Sequence, residues 1–137
     1  MKFLSKTDIE LTILAVLSGK TADRGLTLSE FTSRCVMKGE VHEFLVANEW
    51  ASDRTVVFND ISYLGFFEFN RAGVLEVGDR LLAEDNTLIG EIIGFDDTHM
   101  PNHMNIVLSS GSKESGTERG LLASGKLKIM GYGRTEL

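Results

Sequence analysis

The chain predicts an all-β domain folded as a small closed or nearly closed β-barrel, and three observations carry that expectation. Fourteen glycines stand against one proline in 137 residues. Short runs rich in Val, Ile, Leu and Phe are separated by Gly, Asn, Asp and Ser, and several of those runs alternate with the period of two that a half-buried strand requires. A length of 137 residues with 42% hydrophobic content suffices for one core without disulfide or metal staples, so a single domain over residues 1–137 is expected.

Candidate strands fall over residues 9–18, 25–28, 41–47, 55–59, 64–69, 80–84, 88–95, 104–109 and 126–131. The first is ambiguous. Thr7 with Glu10 resembles a capping box and Gly19 a helix stop, which would give a short N-terminal helix over 8–18. Against it, Ile9, Leu11, Ile13, Ala15 and Leu17 alternate, and no helical face carries much charge, so a strand is favoured. Alternation is plain at Val56 and Phe58 against Val57 and Asn59, and again at Leu88, Gly90 and Ile92 against Ile89, Glu91 and Ile93. Asp85-Asn86 between two runs suits a hairpin turn, since both residue types tolerate positive φ. Residues 109–118, Ser-Ser-Gly-Ser-Lys-Glu-Ser-Gly-Thr-Glu, offer no apolar anchor and predict a mobile surface loop.

Charge narrows the function. A net charge of -6, with 14 basic against 20 acidic residues and no cluster of Lys and Arg, argues against nucleic acid as a partner. The longest apolar run, near Ile13 to Leu17, is far below the ~20 residues needed to cross a bilayer, so no membrane role is expected. The single cysteine, Cys35, has no partner in the chain and no leader pattern is evident, which together predict a reduced, cytoplasmic protein. Cys35 itself reads as a buried, inert thiol despite Arg34 beside it.

Two resemblances follow from longer motifs. Ala72-Gly73-Val74-Leu75-Glu76-Val77-Gly78-Asp79-Arg80-Leu81, followed by Ile89-Gly90-Glu91-Ile92-Ile93-Gly94, resembles the second, β-barrel domain of the translation GTPases, and implies a strand, a Val-Gly-Asp turn and a hairpin in that order. The GTPase phosphate loop, G-x-x-x-x-G-K-[ST], is absent. Gly39-Glu40-Val41-His42-Glu43, Leu64-Gly65-Phe66-Phe67-Glu68-Phe69 and the Gly94-to-Ile106 segment together are similar to an uncharacterised bacterial family of small proteins, which implies a shared fold and transfers no activity.

Chemistry concentrates between Gly94 and Asn105, where His99 and His103 flank Pro101 beside Asp96 and Asp97. Pro101 with Asn102 and Asn105 argues for a shaped loop in place of a helix. His42 lies on a predicted strand with Glu40 two residues away on the same face. If the loop folds over that strand, His42, His99 and His103 form a set suited to one divalent ion, zinc or iron. The metal-free arrangement uses His99 or His103 as acid or base, with Asp96 or Glu40 orienting the ring. Arg24, Arg34 and Asn102 are the candidates for holding an anionic substrate. The leading expectation is a small enzyme of the lyase, isomerase or cyclase type acting on a small anionic metabolite. Its rival is a non-catalytic barrel that binds a small ligand or a protein partner. The aromatic group Tyr63, Phe66, Phe67 and Phe69 predicts barrel core on one face and a homodimer contact on the other.

Overall fold

The first apolar segment is a strand, and no helix occurs among the described residues. Ile9, Leu11 and Ile13 are buried while Glu10 and Leu14 face outward. Pairing on both sides of this strand overrides the local capping signal of Thr7 and Glu10. The structure is a computed structural model that describes residues 6–47 and 55–131. Both ends of the expected 1–137 domain lie outside the described residues.

In chain order the strands are β1 (Ile9–Val16), β2 (Lys20–Thr21), β3 (Leu26–Thr27), β4 (Ser33–Val36), β5 (Val41–Ala47) and β6 (Val57–Phe58). They continue as β7 (Ile61–Phe69), β8 (Gly73–Glu76), β9 (Arg80–Ala83), β10 (Leu88–Asp96), β11 (Asn105–Ser109) and β12 (Lys126–Met130). Seven of them run side by side as β1-β12-β9-β10-β11-β5-β7, and β7 pairs back onto β1, closing the barrel. The β5–β11 pair is parallel; the other six neighbours around the ring are antiparallel. Closure leaves no free edge in the main wall. No helix among the described residues is long and apolar enough to cross a membrane.

The barrel lumen is filled, not hollow. Phe44 stacks on Phe67 at 4.7 Å and on Phe69 at 6.1 Å, and Leu11, Leu64, Leu81, Ile92, Phe95, Ile106 and Leu108 belong to the same cluster. Side chains alternating with these, Leu45, Ala47, Val107 and Ile93, point out of the wall into a second apolar cluster. The short two-stranded ladder of β3 and β6 covers it with Leu26 and Phe58.

Curvature enters at small residues. Gly65 pairs with Val16 on β1 and Phe44 on β5, close to a register shift on each side, between Ile13 and Ala15 on β1 and between Phe44 and Leu45 on β5. A Cβ added at Gly65 would lie 2.1 Å from the Ala15 carbonyl oxygen, so the two backbones approach as closely as they do because no side chain intervenes. The β9–β10 hairpin turns at Asn86, with φ of 69°, as its sequence predicts. The strand, the turn at Val77-Gly78-Asp79 and the hairpin follow in the order expected for residues 72–94, and Lys6 donates to the buried Asp79 at 2.9 Å behind that turn.

Three elements lie outside the candidate strands read from alternation: β2, β4 and β8, the last implied only by the resemblance of residues 72–94. Each is two to four residues long and pairs along one ladder only. Cys35 is a correction, since it is exposed. On β4 it is Val36 that faces the core, and alternation turns Cys35 outward. Residues 109–118 are also better anchored than their composition predicts. Ser62 donates to the Lys113 carbonyl at 2.7 Å, Gly116 and Thr117 donate to Tyr63 and Leu17, and Ser115 is fully buried. Hydrogen bonds replace the missing apolar anchor.

Candidate functional site

The sequence-predicted site residues separate into two groups on opposite sides of the barrel wall. His42 and Phe44 alternate with Glu43 along β5, so His42 faces the lumen and Glu43 the outside. At the lumen end His42 meets Phe69 edge-on at 5.8 Å. Its Nδ1 accepts the Met104 amide at 3.0 Å and its Nε2 donates to Glu40 Oε1 at 2.7 Å. Burial pushes the His42 imidazolium below its ordinary range, against the pull of Glu40. The ring is therefore neutral, with its proton on Nε2. Burial alone would raise the Glu40 carboxyl, but the His42 hydrogen bond, the Met37 amide and the Arg34 charge outweigh it and hold the carboxyl low.

Both nitrogens of His42 are thus engaged within the protein, which removes it from the expected metal set. Among the described residues no group of three or more His, Cys, Asp or Glu is placed to hold a metal ion. The three-histidine centre is corrected accordingly. The loop does fold over β5, but it presents a backbone amide to His42 and carries its own histidines to the outer face.

The outer group is built on one row of the sheet. Asp96 pairs with Asn105, Asn105 with Glu43, and Glu43 with Phe66, across β10, β11, β5 and β7. The loop with Pro101 at its tip then brings His103 against this row, its ring edge-on to Phe66 at 5.1 Å and its Nε2 3.5 Å from Glu43 Oε1. His103 Nδ1 donates to Asn102 Oδ1 at 2.8 Å, and His99, itself exposed, stacks on His103 at 5.1 Å. Burial raises the Glu43 carboxyl although His103, His99 and Arg24 pull it down. Asp96 is a structural acceptor. It closes the turn through the Thr98 amide and hydroxyl at 3.1 and 3.0 Å, takes Asn105 Nδ2 at 2.9 Å, and has Arg24 Nη2 at 3.7 Å.

Arg34 occupies a third position. It lines a pocket of about 290 Å³ between β4 and the base of the histidine loop, together with Ser29, Phe31, Ser33, Cys35, Asp97 and the lumen-end residues Phe95 and Met104. Its Nη2 is 3.7 Å from Glu40 Oε1, beyond hydrogen-bond distance, and its Nε is buried without a hydrogen-bond partner. Glu40 holds the guanidinium by charge and leaves Nε without a hydrogen bond.

Of the expected residues, the structure brings His99, His103 and Asn102 together with Asp96 and Arg24 nearby, and joins Glu40 to His42 and Arg34. Sequence reasoning missed Glu43, Asn105 and the pocket serines. Glu43 had a signal: a carboxylate in Val-His-Glu-Phe-Leu-Val-Ala, a run otherwise apolar apart from His42, has to be buried beside something polar.

A family model described as a family of unknown function (DUF6917) matches residues 3–130. No curated protein and no solved structure matches the chain. The likeness of residues 72–94 to the translation GTPase barrel thus remains one of sequence pattern.

Proposed function

The chain belongs to this family of unknown function, and from its own geometry we propose that it is a ligand-binding barrel whose pocket takes a small anionic metabolite through Arg34. The observation that carries this is the unpartnered, buried Nε of Arg34 in the wall of the pocket. A guanidinium whose Nε lacks a partner can turn its Nε and Nη edge to the two oxygens of a carboxylate or a phosphate, and such charge-assisted pairs are about twice as strong as neutral ones. The hydroxyls of Ser29 and Ser33 add polar groups to the same pocket, and Phe31 an apolar wall. A volume of about 290 Å³ suits a ligand of metabolite size.

Acid–base catalysis by His99, His103, Asp96 and Glu40 has less support. None of the four lines the pocket. Asp96 and Glu40 already accept from two or more donors each, which suits positioning better than proton transfer.

The test is a panel of carboxylate- and phosphate-bearing metabolites screened by thermal shift and quantified by calorimetry. A stabilising anion should lose at least about tenfold in affinity in Arg34→Ala, roughly 1.4 kcal/mol. Arg34→Lys should weaken it too, because an ammonium lacks the planar fork. Unchanged affinity in Arg34→Ala, or no stabilising anion in the panel, would overturn the assignment.

A further inference from the structure

We propose that Glu43, His103 and Asn105 form a second site, on the outer wall of the barrel, for one divalent transition-metal ion. It shares no residue with the Arg34 pocket and stands or falls separately. The argument is an accounting of lone pairs. His103 Nδ1–H donates to Asn102, which leaves Nε2 as the nitrogen with the lone pair, and Nε2 faces the Glu43 carboxylate at 3.5 Å. Asn105 turns its Nδ2 to Asp96, which leaves its Oδ1 on the other side of the amide. Asn105 and Glu43 are direct neighbours across the parallel β11–β5 pair. His103 Nε2 and Asn105 Oδ1 are both buried without a hydrogen-bond partner, one in the row and one on the loop packed against it.

His103 Nε2 thus faces the Glu43 carboxylate, and Asn105, the strand neighbour of Glu43, carries an amide oxygen with no hydrogen-bond donor. A proton shared by His103 and Glu43 would leave Asn105 Oδ1 unanswered, whereas a cation answers all three. The spacing agrees. Two ligands each ~2.1 Å from one ion at the tetrahedral angle stand ~3.4 Å apart, against the 3.5 Å between Nε2 and Oε1. Imidazole nitrogen with carboxylate and amide oxygen is a mixed donor set, suited to a borderline ion such as Zn²⁺, Co²⁺ or Mn²⁺. The charge balance is permissive: Glu43 and Asp96 are acidic, and the nearby Arg24 is drawn toward Asp96 Oδ2 at 3.7 Å. With two strong protein ligands and one amide oxygen, the ion would keep coordination positions open to water.

The experiment titrates the chelator-treated full chain with Zn²⁺ by calorimetry and with Co²⁺ by visible absorption. One ion per chain is expected, with Co²⁺ ligand-field bands and a higher melting temperature in Zn²⁺. Glu43→Gln and His103→Ala should each weaken binding at least tenfold. His103 lies on a loop, so its variant keeps the test alive if Glu43→Gln fails to fold. No binding of either ion, or binding that survives His103→Ala undiminished, would overturn the site.

Discussion

His42 is held in one tautomer by two neighbours that a second proton would set against it. The Met104 amide donates to Nδ1, so protonation there brings two N–H groups face to face, and burial adds its own penalty. With the folded-state pKa below the ordinary value of 6.5, the unfolded chain binds more protons than the fold once pH drops below that value. Stability contributed by neutral His42 is present above pH 6.5 and is lost as pH falls. Among the groups facing it, Glu40 pulls the other way while Arg34 and His103 act with burial, and the direction stays downward. Glu43 titrates the opposite way: its raised carboxyl costs stability as pH rises from its ordinary 4.5. The wild-type melting temperature should therefore fall between pH 7.5 and pH 5.5 by more than that of His42→Gln, and equal falls would exclude His42 as the cause. Residue identities made this neighbourhood legible as chemistry. What they could not reveal is which lone pairs the backbone claims, and that is why His42 reads from sequence as a ligand when it is a structural bridge, and why Asn105 reads only as a loop-shaping residue beside the histidines.

At the scale of elements, β7 is the strand on which the wall bends. Its Gly65 lies close to a register shift on each side, and a methyl there meets the Ala15 carbonyl oxygen at 2.1 Å and the Phe67 ring at 3.0 Å. Gly65→Ala should cost about 3 kcal/mol of stability through forced backbone movement. Gly111→Ala, with nothing within 4 Å of the added carbon, should stay within roughly 0.5 kcal/mol of wild type. Urea unfolding of both variants measures the contrast, and a mild Gly65→Ala would mean that β1 can re-register freely. The long strands were legible because burial on both faces writes nearly continuous apolar runs, as in β5 and β11. The short ones were not, because β2, β4 and β8 are fixed by a partner ladder distant in sequence and by few of their own side chains. Residues 109–118 failed for a related reason: their order comes from backbone hydrogen bonds, which composition does not record.

For the whole molecule, ring closure makes β12 indispensable. It pairs with β1 on one side and β9 on the other, and it contributes Leu127 and Ile129 to the lumen. Ending the chain after residue 125 should open the barrel, expose the edges of β1 and β9 and abolish a cooperative melt. Calorimetry and dye binding to exposed apolar surface would register this, and a truncated chain that still melts sharply would mean that the remaining strands close on themselves. The same seam has a mechanical meaning. Ile9 stands opposite Ile129 in an antiparallel pair, so the chain enters and leaves the barrel at adjoining points on one rim. A pull on both ends peels β1 from β12 one rung at a time, without loading the rungs together, which makes the seam the line along which the ring tears under force.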